Sequence, residues 1–346
     1  MQEETFTLTN KEDGHEIFLR AWRGKTDRPP QAIVQIHHGM AEHSARYAAL
    51  AEQLTNAGCH VYAHDARGHG YSVRGDQLLG HYANHDGWNK VVNDLRVVNE
   101  ELRSRYPGVA ILLLGHSMGS FIARAFVRRF PYAIDALLLS GSASHTLGDV
   151  VKASTAVTIE KARLGAHGKS KLLDRLSFAT YNRQFAPNRT SADWLSRDTR
   201  VVDEYIRDPL CGFLCTNQFW SDLISGIREI RGPESVRPLP KRLPVLMFSG
   251  ELDPLSYHPK AHGIYRLAQM YERAGMQKVT ARLFAGGRHE ILNETNRDEV
   301  FAFIVQWLRE NKLLSNQAPQ TEVAVNVAIA ETSQAHLESN TAPATQ

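Results

Sequence analysis

The stretch AILLLGHSMGSFIARAF, residues 110–126, decides the fold. Its first five residues are apolar at every position, which suits a central β-strand covered by helices on both faces rather than a half-exposed one. From Phe121 the spacing changes: Phe121, Ile122, Ala125, Phe126 and Phe130 fall on one helical face. Between strand and helix lies Gly115-His116-Ser117-Met118-Gly119, which fits G-x-S-x-G. That turn lifts a serine above the C-terminal edge of a sheet, and its glycines let strand and helix backbones approach closely around a strained nucleophile.

Outward from this unit, strand and helix patterns alternate. TFTLT (5–9) and HEIFLRAWR (15–23) flank Asp13-Gly14, a hairpin signal that predicts an antiparallel edge. AIVQIHH (32–38), a helical face of Tyr47, Leu50, Ala51 and Leu54, HVYAHD (60–65) and a long helix over 86–104 lead up to Ala110. After it follow ALLLSG (136–141), PVLMFSGELD (244–253), a helix through Ile264, Leu267, Ala268 and Tyr271, VTARLFAGG (279–287), and a last helix with Val300, Phe301, Ile304, Trp307 and Leu308 inward. This order builds a mostly parallel sheet with helices on both faces.

The rhythm breaks between His145 and Lys241, where helical patterns and loops occur without a buried strand. The expectation is a core domain, 1–144 with 242–314, carrying a helical cap insertion at 145–241. Beyond Leu314 the composition turns to Gln, Thr, Ala, Asn, Ser and Pro, so 315–346 reads as a disordered tail, with 322–330 a weak strand at most.

The bulk properties narrow the function. Hydrophobic residues at 42% and charged residues at 22% fit a globular protein with a large core. A formal net charge of +3, without a basic run interleaved with aromatics, argues against nucleic acid as a partner. The start lacks a basic n-region and apolar h-region, and no apolar stretch is long enough to span a bilayer, so the expected location is cytoplasmic. Three cysteines are too few for a disulfide framework; Cys211 and Cys215 sit in an apolar segment and read as buried thiols rather than a metal pair. Asp65-x-Arg67-Gly68-His69-Gly70 lacks the Lys-Ser/Thr of a phosphate loop and reads as a structural turn.

A serine hydroxyl is a weak nucleophile and needs a base, itself oriented by an acid. On this kind of turn the chain order is Ser, then Asp or Glu, then His. Asp253 follows the 244–250 strand and His289 follows the last strand, so both emerge at the sheet edge that carries Ser117. Glu251 competes for the acid role. A tetrahedral oxyanion needs N–H donors: the amide of Met118, next to the nucleophile, and that of Met40, in the loop after 32–38.

HHGMAEHSARY (37–47), DARGHGYS (65–72), GHSMGS (115–120), SGELDPL (249–255) and GGRHEILNE (286–294) together resemble the monoacylglycerol lipase and lysophospholipase branch of α/β-hydrolases, often grouped with serine aminopeptidase-like proteins. In the cap, DWLSRD (193–198) is similar to bacterial members. The resemblance covers residues 1 to about 312. It implies an α/β-hydrolase fold of eight strands and hydrolysis of a small lipid-like carboxylic ester through an acyl-enzyme. Ser117, Asp253 and His289 are then the triad, Met40 and Met118 the oxyanion donors, with no cofactor and no metal. Ala41 and Ser120 stand where many relatives carry glycine. Apolar cap residues, among them Val151, Ile159, Leu172, Leu176, Phe178 and Phe213, suit packing, an acyl pocket or transient contact with a membrane surface. An amidase, aminopeptidase or thioesterase with the same triad remains open at this stage, as does a non-catalytic binding protein, and the oligomeric state is not encoded in any of these patterns.

Overall fold

The computed structural model describes residues 1–24, 29–256 and 263–315. Among them, eight strands form one sheet in the order β1-β2-β4-β3-β5-β6-β7-β8. The strands are β1 (Gln2–Thr9), β2 (Glu16–Arg23), β3 (Ala32–His37), β4 (Cys59–His64), β5 (Ala110–His116), β6 (Ala136–Ser140), β7 (Val245–Gly250) and β8 (Val279–Phe284). The Asp13-Gly14 hairpin makes β1 and β2 antiparallel, and β2 meets β4 antiparallel. From β4 to β8 every pairing is parallel. The order reverses at β3, so the chain leaves β3 and β5 on opposite sides of a switch point, where a crevice opens above the strand ends.

Strand β5 is buried because each of its faces meets helices. Ile111 and Leu113 pack with one layer, built from α2 (Gly87–Arg105), α3 (Met118–Arg129) and α9 (Gly263–Arg273). Leu112 and Leu114 point the other way, toward α1 (Ala48–Asn56) and α10 (Arg297–Glu310). Period-two alternation in an all-apolar strand therefore supplies two cores at once.

Between β6 and β7 the described residues hold helices and no strand: α4 (Leu147–Leu164), α5 (Lys171–Asp174), a π-helical turn over 175–179, α6 (Thr180–Arg183), α7 (Thr199–Arg207) and α8 (Asn217–Glu229). Val150, Val157, Leu173 and Ile224 form a small core of their own, and Ala192, Trp194, Leu195 and Val202 another. Strand β7 ends at Gly250, as expected of the 244–250 strand, whereas β8 ends at Phe284, before the 279–287 run does. The backbone turns at Gly250, where the Asp253 amide donates to the Gly250 carbonyl at 3.1 Å. The tail read as disordered, and the weak strand within it, lie outside the described residues from Asn316 onward. No described helix is long and apolar enough to cross a membrane.

The DARGHG segment is a hydrogen-bonded turn. Asp65 accepts from the amides of Ser44 and Tyr71, at 2.7 and 2.8 Å, and Arg67 forms a buried ion pair with Asp94. Around it lies a group of fully buried imidazoles: His37 and His64, whose rings meet edge to face at 4.8 Å, then His38 and His69. Burial, reinforced by neighbouring histidines, pushes His37, His38 and His69 down to about 3 and His64 well below its ordinary value.

These imidazoles stay neutral in the fold and protonate in the unfolded chain, so their contribution is present above about pH 6.5 and is lost as pH falls. At pH 5 each costs about 2 kcal/mol, from 1.5 pH units at about 1.4 kcal/mol each. Asp222, pushed up to about 6 by burial, and His289 act with the opposite sign but are fewer. The melting temperature is expected to drop steeply between pH 6.5 and 5, measured by differential scanning fluorimetry. A flat profile over that window would contradict neutral burial.

Candidate active site

Ser117 sits between β5 and α3 at φ 51° and ψ −120°, outside the regions that L-residues favour. The turn is held by its own hydrogen bonds. The Ser117 amide donates to the Ser140 carbonyl at 2.9 Å, and the Ser120 amide and hydroxyl both donate to the Ser117 carbonyl, at 2.9 and 2.6 Å. Ser120, a departure from the family pattern, therefore braces the elbow. A Cβ at Gly119 would lie 2.2 Å from the His37 carbonyl, and one at Gly115 would lie 2.5 Å from the Gly119 carbonyl. Both glycines are dictated by backbone contact.

His289 follows β8, and Asp253 lies in the turn after β7. His289 Nδ1 donates to Asp253 Oδ1 at 2.8 Å, which leaves Nε2 to accept from the Ser117 hydroxyl at 2.8 Å. Asp253 is further bonded by the Ser249 hydroxyl at 2.5 Å and the Leu255 amide at 3.0 Å. Burial opposes its charge, yet the His289 ring and these donors outweigh burial and hold the carboxyl below its usual range. Burial likewise opposes a charged His289, but Asp253, Glu290 and Glu42 hold the imidazole above its ordinary value. Both shifts favour the same state, an imidazolium beside a carboxylate. Glu251, the competing acid, is exposed and accepts from the Gly286 amide instead.

The loop carrying Met40 runs over the elbow. A Cβ on Gly39 would lie 3.3 Å from Ser117 Cβ and 2.7 Å from Glu42 Oε1, so the backbone there passes close over the serine. Met118 opens α3 directly after Ser117, so its amide lies at the helix N-terminus, where no intrahelical carbonyl is in place to accept from it. Ala41 holds φ 53°, a left-handed conformation that explains the glycine of relatives. His116 lies 5.0 Å from the His289 ring; burial and that neighbouring ring push it down to about 4.

Three residues quoted from the sequence without an assigned role prove to join the site's two loops. Glu42 accepts from the Gly39 amide at 2.6 Å, the Tyr47 hydroxyl at 3.0 Å and Arg46 at 3.1 Å. Arg46 also grips Glu290 through two bonds of 2.5 and 2.6 Å. Glu290 follows His289 directly, so one guanidinium ties the Met40 loop to the histidine loop. The i, i+4 spacing of Glu42 and Arg46 was the visible signal; the distant partner was not.

His43, Asp208 and Cys211 place one donor atom each within 4.8 Å of one another, among the described residues the one group shaped for a metal. The His43–Asp208 contact there is a 2.8 Å hydrogen bond, and burial pushes the Cys211 thiol up, against the thiolate a metal needs. Cys59, Cys211 and Cys215 are free and buried.

The strand order, the strained serine turn and the Ser117–His289–Asp253 chain define an α/β-hydrolase. Residues 28–296 match the family described as Serine aminopeptidase, S33. The chain belongs to that family. It is 28% identical to human monoglyceride lipase over 316 residues, which cover 88% of this chain and 91% of that protein. It is 29% identical to a monoacylglycerol lipase of Mycolicibacterium smegmatis over 301 residues, 85% and 93% of the two chains. In fold it is similar to a thermostable carboxyl esterase of Bacillus coagulans solved with glycerol, with a TM-score of 0.80 at 22% identity, covering 90% and 99% of the chains.

The Arg46 tie carries a stability expectation. Its side chain is 11% exposed and that of Glu290 5%, so Glu290→Leu leaves a buried charge short of its bidentate partner and should cost about 3 kcal/mol in urea unfolding. Glu234→Ala, which breaks the Arg237 pair at 69% exposure on both sides, should change stability by less than about 1 kcal/mol.

Proposed function

We propose that this chain, a carboxylic ester hydrolase, acts on lipid-like esters such as monoacylglycerols through a Ser117–His289–Asp253 triad and an acyl-enzyme. The observation that carries the reading is the pair of 2.8 Å bonds leading from a strained serine through a buried histidine to a buried carboxylate. In this mechanism His289 takes the Ser117 proton as Oγ attacks the ester carbonyl, and the amides of Met40 and Met118 receive the oxyanion. Asp253 keeps Nδ1 protonated and steadies the imidazolium, which then protonates the departing alcohol. Water, deprotonated by the same histidine, releases the acid.

Support for a lipid-like substrate comes from the residues above the site. A cavity of about 540 Å³ is lined by Ala41, next to Met40, by Phe178, Trp194, Ile206 and Phe213, and by the polar Asn182, Arg183, Asn188 and Ser191, a size that suits an acyl chain with a polar head group. We read 145–241 as a cap on the core 1–144 and 242–314, with this cavity beneath it. On the same segment Leu147, Val151 and Ile159 lie four or eight apart on α4 and are exposed, as are Leu172 and Leu176. Such a patch fits transient contact with a lipid surface. The relatives named monoglyceride lipase point the same way. An aminopeptidase would need carboxylates to hold a free ammonium group; among the described lining residues Asp174 is the one carboxylate, and Arg183 opposes it.

Hydrolysis of p-nitrophenyl esters from acetate to palmitate, of monoacylglycerol, of lysophosphatidylcholine and of an aminoacyl anilide tests this reading. Esters and monoacylglycerol should turn over, the anilide should not, and Ser117→Ala should reduce kcat at least about 10,000-fold. Cleavage of the anilide alone would replace the ester reading. Ser249→Ala, which removes one donor from Asp253, should lower kcat about three- to tenfold with little change in KM, one neutral-to-charged hydrogen bond being at stake.

A further inference from the structure

We infer that Trp194 is a positioning residue for His289, laying its indole against the imidazole so that the ring is held toward Ser117 and steadied when it becomes charged. The inference rests on His289 being the base. It adds a residue from the segment between β6 and β7 that neither the triad nor the oxyanion loop includes.

Two kinds of observation support it. The first is a backbone clasp. The His289 amide donates to the Trp194 carbonyl at 3.3 Å, and the Glu290 amide to the Leu195 carbonyl at 2.7 Å. Around this pair, Arg288 Nη1 donates to the Asp193 carbonyl, the Ser196 hydroxyl to the Asn293 carbonyl at 3.0 Å, and Arg197 to the buried Glu294 at 3.0 Å. Residues 193–197 and 288–294 thus run together, and the base has no loop of its own to move in.

The second observation is ring geometry. The Trp194 and His289 centroids lie 4.9 Å apart with planes at 31°, so the indole offers its face to the imidazole. Cations within about 6 Å of a tryptophan face are attracted to it, most strongly where water is absent. His289 is 2% exposed and Trp194 7%, so water is largely absent here. Trp194 is itself fixed: its backbone amide donates to Asn182 Oδ1 at 2.9 Å, Phe178 stacks on the indole at 5.4 Å and 19°, and Tyr181 lies at 5.3 Å. Phe178 and Trp194 both line the 540 Å³ cavity, so an acyl chain there would touch the same stack that braces the base. Asp253, Glu290 and Glu42 face His289 with negative charge and His116 with a neutral ring; a change at position 194 leaves all four in place.

The test compares Trp194→Leu, which keeps the volume apolar but removes the π face, with Trp194→Phe, which keeps a face. On an ester that wild type hydrolyses, Trp194→Leu should lower kcat about tenfold with KM changed less than about threefold. It should also move the acid limb of kcat/KM to lower pH, since the charged imidazole loses a stabilising neighbour. Trp194→Phe should recover most of both. An acid limb that stays in place, with an effect confined to KM or melting temperature, would reduce Trp194 to packing. Should the leucine variant not fold, site-specific tryptophans carrying one to three ring fluorines serve instead: kcat should fall stepwise with fluorine number, and a flat series overturns the inference. Loss of the underlying reading would look different, as full hydrolysis by Ser117→Ala.

Discussion

A serine held at φ 51° and ψ −120° at the end of a buried strand is the constraint on which the rest of this molecule depends. L-residues avoid that conformation, so neighbouring structure must impose it. The hydrogen bonds at Ser140 and Ser120 do so directly, and the packing of α3 against β5 does so from below. Because strand and helix then pass within contact distance, backbone atoms exclude a side chain at positions 115 and 119, and in the Met40 loop above a Cβ at 39 would crowd Ser117 and Glu42. The elbow is thus a backbone solution first; the hydroxyl it presents is the consequence.

Electrostatics then separates two populations of histidine in one core. His37, His38, His64 and His69 are buried beside one another and are kept neutral. His289 is as deeply buried but has Asp253 at 2.8 Å and two glutamates close by, which stabilise its charged form and hold the imidazole above its ordinary value. The difference lies in the carboxylates, since burial acts on all five rings in the same direction. Arg46 balances those carboxylates and converts three charges into a tie between loops, which explains why a basic residue stands so near a base.

Much of this was legible in the sequence, for identifiable reasons. An all-apolar run and a glycine-flanked serine are local patterns, and the strand order followed from their alternation with helices. Ser117, Asp253 and His289 could be placed because each ends a strand on the same sheet edge, and the structure brings their side chains together. Strand ends were less legible: β8 stops at Phe284, before Ala285-Gly286-Gly287, because the Gly287 amide turns back onto the Phe284 carbonyl. Arg46, Glu290 and Trp194 acquire meaning only through partners 244, 244 and 95 positions away, and no periodicity reports such a distance. The contrast of buried Val157 with exposed Val151 and Ile159 on one helix was likewise invisible, since both faces of α4 carry β-branched residues.

The central claim is that Ser117 becomes covalently acylated. Rapid quenching of the enzyme with a p-nitrophenyl ester, followed by intact-protein and peptide mass spectrometry, measures it directly. One acyl group on the peptide containing Ser117, formed with a stoichiometric burst of p-nitrophenol and absent from Ser117→Ala, is the expected result. Turnover without a burst or adduct, or an adduct on another residue, would contradict it.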